Sequence, residues 1–254
     1  MMYSVSVEAV FRRSGLSFLD AVRRSRELGY EAIEFWGWTD KDLDGLRSLQ
    51  EEVGIRVASF CTKHGNLVDP NERRSFVEGI RESVAAAKRL DCAHLIVTVG
   101  QSLPGIAREQ QARSIVEGLR EAAPILEEAG VTAVVEPLNT LVDHRGYFLE
   151  KSAEAFAIVD EVGSPGVKVL YDIYHQQISE GNLIPTIEAN IGRIGYFHIA
   201  DHPGRREIGS GEIHYRNVLE AIRKTGYDGF VGLEYIPNGA PDEGLKKFRS
   251  EYVA

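Results

Sequence analysis

Short apolar runs alternate along the chain with longer stretches in which apolar residues recur every three or four positions. The short runs predict strands near 3–8 (YSVSVE), 31–36 (EAIEFW), 55–60 (IRVASF), 94–98 (HLIVT), 131–136 (VTAVVE), 167–172 (VKVLYD), 194–199 (IGYFHI) and 229–234 (GFVGLE). The longer stretches predict amphipathic helices near 17–29, 40–53, 70–90, 106–129, 151–162, 182–190, 214–225 and 242–251. Three of them, FLDAVRRSRELG, LRSLQEEVG and LREAAPILEEAG, stop at Gly29, Gly54 and Gly130, and an apolar strand follows at once. Glycine there supplies the left-handed residue that ends a helix, so each is the helix-to-strand half of a repeated unit.

Eight strands alternating with eight helices have two main solutions, a closed barrel and an open doubly wound sheet. The open sheet usually binds nucleotides through a glycine-rich first turn. Here the first strand runs into AVFRRSG, with no G-x-G-x-x-G. The pattern therefore predicts one (β/α)8 barrel over residues 1–254, a length usual for that fold. No linker or low-complexity tract divides it.

Composition narrows the function. Hydrophobic residues make up 43% and charged residues 26%, ordinary values for a globular chain, and the net charge is −9. An acidic surface repels a phosphate backbone; RRSR (23–26) and ERR (72–74) are too short to form a basic patch, so nucleic acid is not an expected partner. The start, MMYSVSVEAVF, lacks a basic segment and a long apolar run, and no stretch of 18 apolar residues occurs, which argues against a signal peptide or membrane span. With only Cys61 and Cys92, in no metal-type spacing, the expected setting is the reducing cytoplasm.

The chemistry lies at the strand ends. In a parallel barrel the active site forms where strands end and the following loops begin. A buried strand gives no reason for a carboxylate, and desolvation argues against one. Yet AVVE ends at Glu136, KVLYD at Asp172 and FVGLE at Glu234, while IGYFHI carries His198 near its end. These residues stand 36, 26 and 36 positions apart, about one unit each. Three carboxylates and an imidazole on one rim would repel without a cation. An oxygen-rich set with one nitrogen and no thiolate suits Mn2+, Mg2+ or Co2+ better than a structural zinc.

At these residues the sequence resembles the hydroxypyruvate isomerase and ketose 3-epimerase families, among the xylose-isomerase-like TIM barrels. The segments that carry the resemblance are EPLNT (136–140), GYFL (146–149), YDIYHQQ (171–177), HIAD (198–201), GRREIGSGEIHY (204–215) and YDGFVGLEYIP (227–237). It implies an isomerase working through an enediolate, with Glu136 and Glu234 both binding metal and exchanging protons with substrate. Asp172 and His198 would complete the metal site. His175 and Arg205 match residues that contact substrate oxygens, with Arg206 the alternative to Arg205. The position of His198 is often Gln in the hydroxypyruvate isomerase branch and His in the epimerases, so a ketose 3-epimerase of the D-tagatose or D-psicose type is the alternative. A metal-dependent hydrolase or lyase of the same barrel group, including its endonucleases, is more distant. The resemblance also implies a small sugar or hydroxy-carbonyl substrate and a homodimer or homotetramer.

In the first half, Glu34 ends the second strand in IEFWGW. Trp36 and Trp38 beyond it read as an apolar wall for the substrate. His64, in TKHGN after the third strand, is a candidate substrate contact. His94 begins a strand, on the face that serves stability. Phe11 and Tyr235 are further candidates to trim the pocket.

Overall fold

The computed structural model describes residues 1–63 and 66–253. Eight parallel strands form a closed barrel: β1 (Met2–Ser6), β2 (Ala32–Phe35), β3 (Arg56–Cys61), β4 (His94–Val97), β5 (Thr132–Val135), β6 (Val167–Asp172), β7 (Ile194–Ile199) and β8 (Phe230–Leu233). Each pairs with its neighbours in sequence, and β8 closes on β1. The helices around it are α1 (Val7–Val10), α2 (Phe18–Glu27), α3 (Leu43–Val53), α4 (Arg73–Leu90), α5 (Arg108–Ala129), α6 (Ser152–Val162), α7 (Ile173–Ser179), α8 (Leu183–Asn190), α9 (Tyr215–Lys224) and α10 (Pro241–Phe248). Gly29, Gly54 and Gly130 all have positive φ, as the helix-stop reading requires. Among the described residues no helix is long and apolar enough to cross a membrane.

Two helices were not expected. The first strand ends at Ser6 rather than residue 8, and α1 carries Glu8 away from the ladder. Val7 and Val10 are three apart, so a segment that reads as alternation also satisfies a helical turn. Glu8 accepts a hydrogen bond from the Trp36 backbone N–H (2.6 Å) and pairs with Lys41 (3.0 Å). Helix α7 follows β6 directly. Its first four residues are all buried, polar His175 and Gln176 included, so its polarity does not follow its exposure and gives no amphipathic pattern.

Strand alternation divides the core into two parts. Ala32 points into the barrel with Ala58, Ile96, Val134, Leu170 and Tyr196. Ile33 and Phe35 point outward, into the larger cluster between strands and helices. Phe35 stacks on Phe60 at 5.1 Å between ring centroids and meets Phe18 edge-on at 5.3 Å. His94 lies low in the barrel, its Nδ1 3.2 Å from the Ala58 carbonyl and its ring against Tyr196 and Phe230.

Phe35→Ala removes a fully buried ring from this shell. We expect a loss of about 3–5 kcal/mol and a Tm lowered by roughly 6–15 °C in a thermal melt. A shift of a degree or less would show that the shell relaxes around the gap.

Candidate metal centre

Register brings the four strand-end residues to one level. Asp172 on β6 pairs with His198 on β7, and His198 pairs with Gly232 on β8. Glu136 and Glu234 come just after β5 and β8, and their N–H groups still bond the neighbouring strands, at Val97 O (3.0 Å) and Ile199 O (3.1 Å). One ligand atom from each of Glu136, Asp172, His198 and Glu234 lies within 4.8 Å of every other, and all four residues are buried.

Each ligand is held by a local device. Asp172 is the N-cap of α7: its Oδ1 accepts from the N–H groups of Tyr174 (2.8 Å) and His175 (3.3 Å), leaving Oδ2 for the site. The Tyr147 hydroxyl, from GYFL, accepts from Val99 N–H (2.8 Å) and donates to the Glu136 carbonyl (3.0 Å). The Trp36 indole N–H donates to Glu234 Oε1 (2.7 Å).

His198 sits among three carboxylates. Its Nδ1 is 3.3 Å from Glu136 and 3.1 Å from Glu234; its Nε2 is 3.0 Å from Glu34 Oε1, out of line for a well-formed hydrogen bond. Glu34 reaches inward from β2, and its Oε2 accepts from Ser4 (2.8 Å) and Tyr196 (2.6 Å). Gly232 makes room for it, since a Cβ there would lie 2.2 Å from Glu34 Oε2. Burial opposes a charge on His198, but Glu34, Glu234 and Glu136 outweigh it and raise its pKa well above the usual imidazole value. Burial pushes Asp172 up to about 7, against the pull of Arg205 and His198. For Glu234 burial is outweighed by Arg205, His198 and Trp36, which hold its carboxyl well below the usual range.

Of the expected substrate contacts, Arg205 and His175 reach this group. Arg205 pairs with Glu234, lies 3.6 Å from Asp172 Oδ2 and packs over the Tyr174 ring. Its φ of 56° is left-handed, a strained place for a long side chain. Arg206 turns away to the Ile236 carbonyl (3.2 Å), so Arg205 is the one directed inward. The loop that presents it is pinned by buried Asp201, which accepts from the N–H groups of His202, Gly209 and Ile213. His175 is fully buried, with Nε2 3.5 Å from Asp172 Oδ2; burial, reinforced by Arg205, keeps its pKa well below the usual value.

The other candidates fare differently. Trp36 touches the site, whereas Trp38 donates to Ser83 on α4 (3.1 Å) and does not join it in a wall. Phe11 and Tyr235 are buried in the packed shell. His64 lies outside the described residues. Three residues given no role from the sequence prove close to the site: Glu34, Asn139 and His144, whose ring is 5.2 Å from that of His175. The signal for Glu34 was present, a carboxylate in an otherwise apolar strand.

The residues fit a divalent ion. Among the described residues, three buried carboxylates face only Arg205 and His198 as counter-charges, and the buried Glu34 Oε1, His175 Nε2 and His198 Nε2 have no hydrogen-bond partner.

The profile of the xylose isomerase-like TIM barrel family matches residues 22–251. The chain belongs to this family. Hydroxypyruvate isomerase of Escherichia coli (strain K12) is 30% identical to this xylose isomerase-like barrel over 237 residues, 90% of this chain and 92% of that one. 2-Oxo-tetronate isomerase of Cupriavidus necator is 30% identical over 237 residues, 90% and 91% of the two chains. A solved structure from Brucella melitensis, described as an AP endonuclease of family 2, is 29% identical, with a TM-score of 0.93 over 99% of both chains. With these isomerase relatives, the xylose isomerase-like barrel described here is an enzyme of the isomerase and epimerase class.

A cation entering this centre displaces protons, because its ligands bind deprotonated. Asp172, with its pKa near 7, and protonated His198 both hold protons that must leave. Affinity for Mn2+ should therefore rise between pH 6 and pH 8. Calorimetry in buffers of different ionisation enthalpy should detect proton release. A pH-independent affinity without released protons would contradict this account.

Proposed function

We propose that the protein is a divalent-metal-dependent isomerase of short 2-oxo acids that carry a hydroxyl on the next carbon, of the hydroxypyruvate type. The carrying observation is the pair Glu136 and Glu234, 3.3 and 3.1 Å from the same His198 nitrogen in one buried group. Two carboxylates opposed across one small site suit removal and return of a proton on a carbon held between them. The names of the two relatives supply the substrate class, since hydroxypyruvate and 2-oxo-tetronate share a ketone beside a hydroxyl-bearing carbon and a carboxylate.

Glu136, Asp172, His198 and Glu234 would hold the ion, with Mn2+, Mg2+ or Co2+ suited to the donor set. The ion would polarise the ketone and offset the negative charge that builds up as the proton leaves. Glu234, ionised beside Arg205, takes the proton from the hydroxyl-bearing carbon. A proton returns to the former carbonyl carbon through Glu136, and exchange with solvent removes the proton taken by Glu234 and restores both carboxylates. The hydroxyl proton passes to the former carbonyl oxygen, so the product is a 2-hydroxy-3-oxo acid and the atoms balance. Arg205 and His175 hold substrate oxygens, and Trp36 covers one side while fixing Glu234.

A second reading, epimerisation of a ketose at C3, is favoured by His198, the ligand type that the resemblance associates with epimerases. It uses the same carboxylates, with the proton returned to the opposite face of one carbon. The endonuclease description of the Brucella structure points elsewhere. Against it, the described residues contain one metal-competent group with a single histidine, and the chain carries a net charge of −9.

Glu136→Gln and Glu234→Gln should each lower kcat by about 10²–10⁴-fold while substrate still binds. Turnover in deuterated water should place solvent deuterium on the product carbon, read by NMR with hydroxypyruvate, tetruloses, pentuloses and hexuloses as substrates. Near-normal rates in either variant, or product without deuterium, would overturn the two-glutamate scheme. Metal analysis should give one ion per chain; three would favour the nuclease.

A further inference from the structure

Asn139, in EPLNT, is fully buried between the metal centre and the loop that follows β5. Its side-chain oxygen accepts from the backbone N–H groups of Val142 (3.0 Å) and Asp143 (3.1 Å). Its NH2 group faces Asp143 Oδ2 (2.8 Å) and His175 Nδ1 (2.6 Å). Asp143 is itself held by the Tyr174 hydroxyl, which donates to the same Oδ2 (2.8 Å). Two N–H donors on one side of the amide and a carboxylate on the other leave it a single orientation; turned over, it would set donor against donor and oxygen against oxygen.

That orientation decides where His175 carries its proton. The Asn139 NH2 and the Asn139 backbone N–H (3.3 Å) both point at Nδ1. A proton on Nδ1 would face both of them, so Nδ1 must present its lone pair and the ring proton must sit on Nε2. Nε2 is buried, faces Asp172 at 3.5 Å and has no hydrogen-bond partner among the described residues. The result is an N–H donor held ready beside the metal ligands with no acceptor of its own.

We propose that Asn139 is a positioning residue that fixes His175 as its Nε2–H tautomer and makes it a hydrogen-bond donor to a substrate oxygen, not a base. The identity of that oxygen rests on the isomerase reading above: it is the one that gains negative charge when the carbon proton leaves. A base needs a lone pair toward the substrate, and the only free lone pair of His175 is taken up by Asn139. Proton transfer at carbon therefore stays with the two glutamates.

The tautomer can be read directly by NMR of the full-length protein labelled with 15N-histidine, metal-free and with Mg2+. The His175 signals are assigned by their loss in His175→Phe. The expected pattern is a pyridine-type Nδ1 and a pyrrole-type Nε2; the reverse overturns the proposal. In Asn139→Asp the group 2.6 Å from Nδ1 becomes an acceptor and outweighs the backbone N–H that remains at 3.3 Å, so Nδ1 should gain the proton. The ring pattern should invert and kcat fall by about 10²-fold or more, with Mg2+ affinity unchanged. An inverted ring with wild-type kcat would refute the donor role. If the substitution prevents folding, the wild-type spectrum decides the assignment alone. Absence of turnover in the wild type would count against the isomerase reading and leave the tautomer to the spectrum.

Discussion

The crowding of negative charge in the barrel mouth is the constraint that the rest of the centre answers. Glu34, Glu136 and Glu234 all approach His198, and Asp172 stands level with it on the next strand. Desolvated carboxylates this close cannot all be ionised without compensation. Two kinds of charge can supply it: the Arg205 guanidinium on Glu234 and Asp172, and either the proton on His198 or a divalent ion that would displace that proton. The strained backbone at Arg205 follows from the same need, because a loop residue must turn sharply to reach the centre.

Several side chains serve the fold and the site at once. Asp172 caps α7 with one oxygen and offers the other inward, so the helix that delivers His175 begins at a metal-competent residue. Tyr147 ties the Glu136 backbone to the end of β4. Asn139 closes its own loop with its oxygen and reaches His175 with its nitrogen. Asp172, Glu136 and His175 are therefore fixed by atoms whose other bonds are structural, the kind of supporting shell that holds a centre to a narrow geometry.

Much of this was legible in the sequence, for identifiable reasons. The strands β1–β8 announce themselves because they are buried on both faces and read as apolar runs. Glu136, Asp172, His198 and Glu234 stand out because a polar residue ending such a run needs a reason. Helix α7 stayed hidden because its opening turn buries polar His175 and Gln176 together with Ile173 and Tyr174, so no apolar face is set apart from a polar one. The parts played by Asn139 and Glu34 also escaped, since their partners are 36 and 164 positions away and only barrel closure brings them together. The pairing of Trp36 with Trp38 failed for a simple reason: neighbours two apart share a face only in a strand, and β2 has ended by Phe35.

The four metal-competent side chains all come from β5 to β8, while among the described residues of the first half Glu34 reaches in from below and Trp36 from the rim. Leu16 and Ile106, two of the large exposed apolar residues, also lie on loops of that first half. The first half still bears on the centre, because Trp36 after β2 holds Glu234, and Val99 after β4 holds Tyr147 against the Glu136 backbone. A change in either of those loops is thus transmitted to a carboxylate carried by another strand.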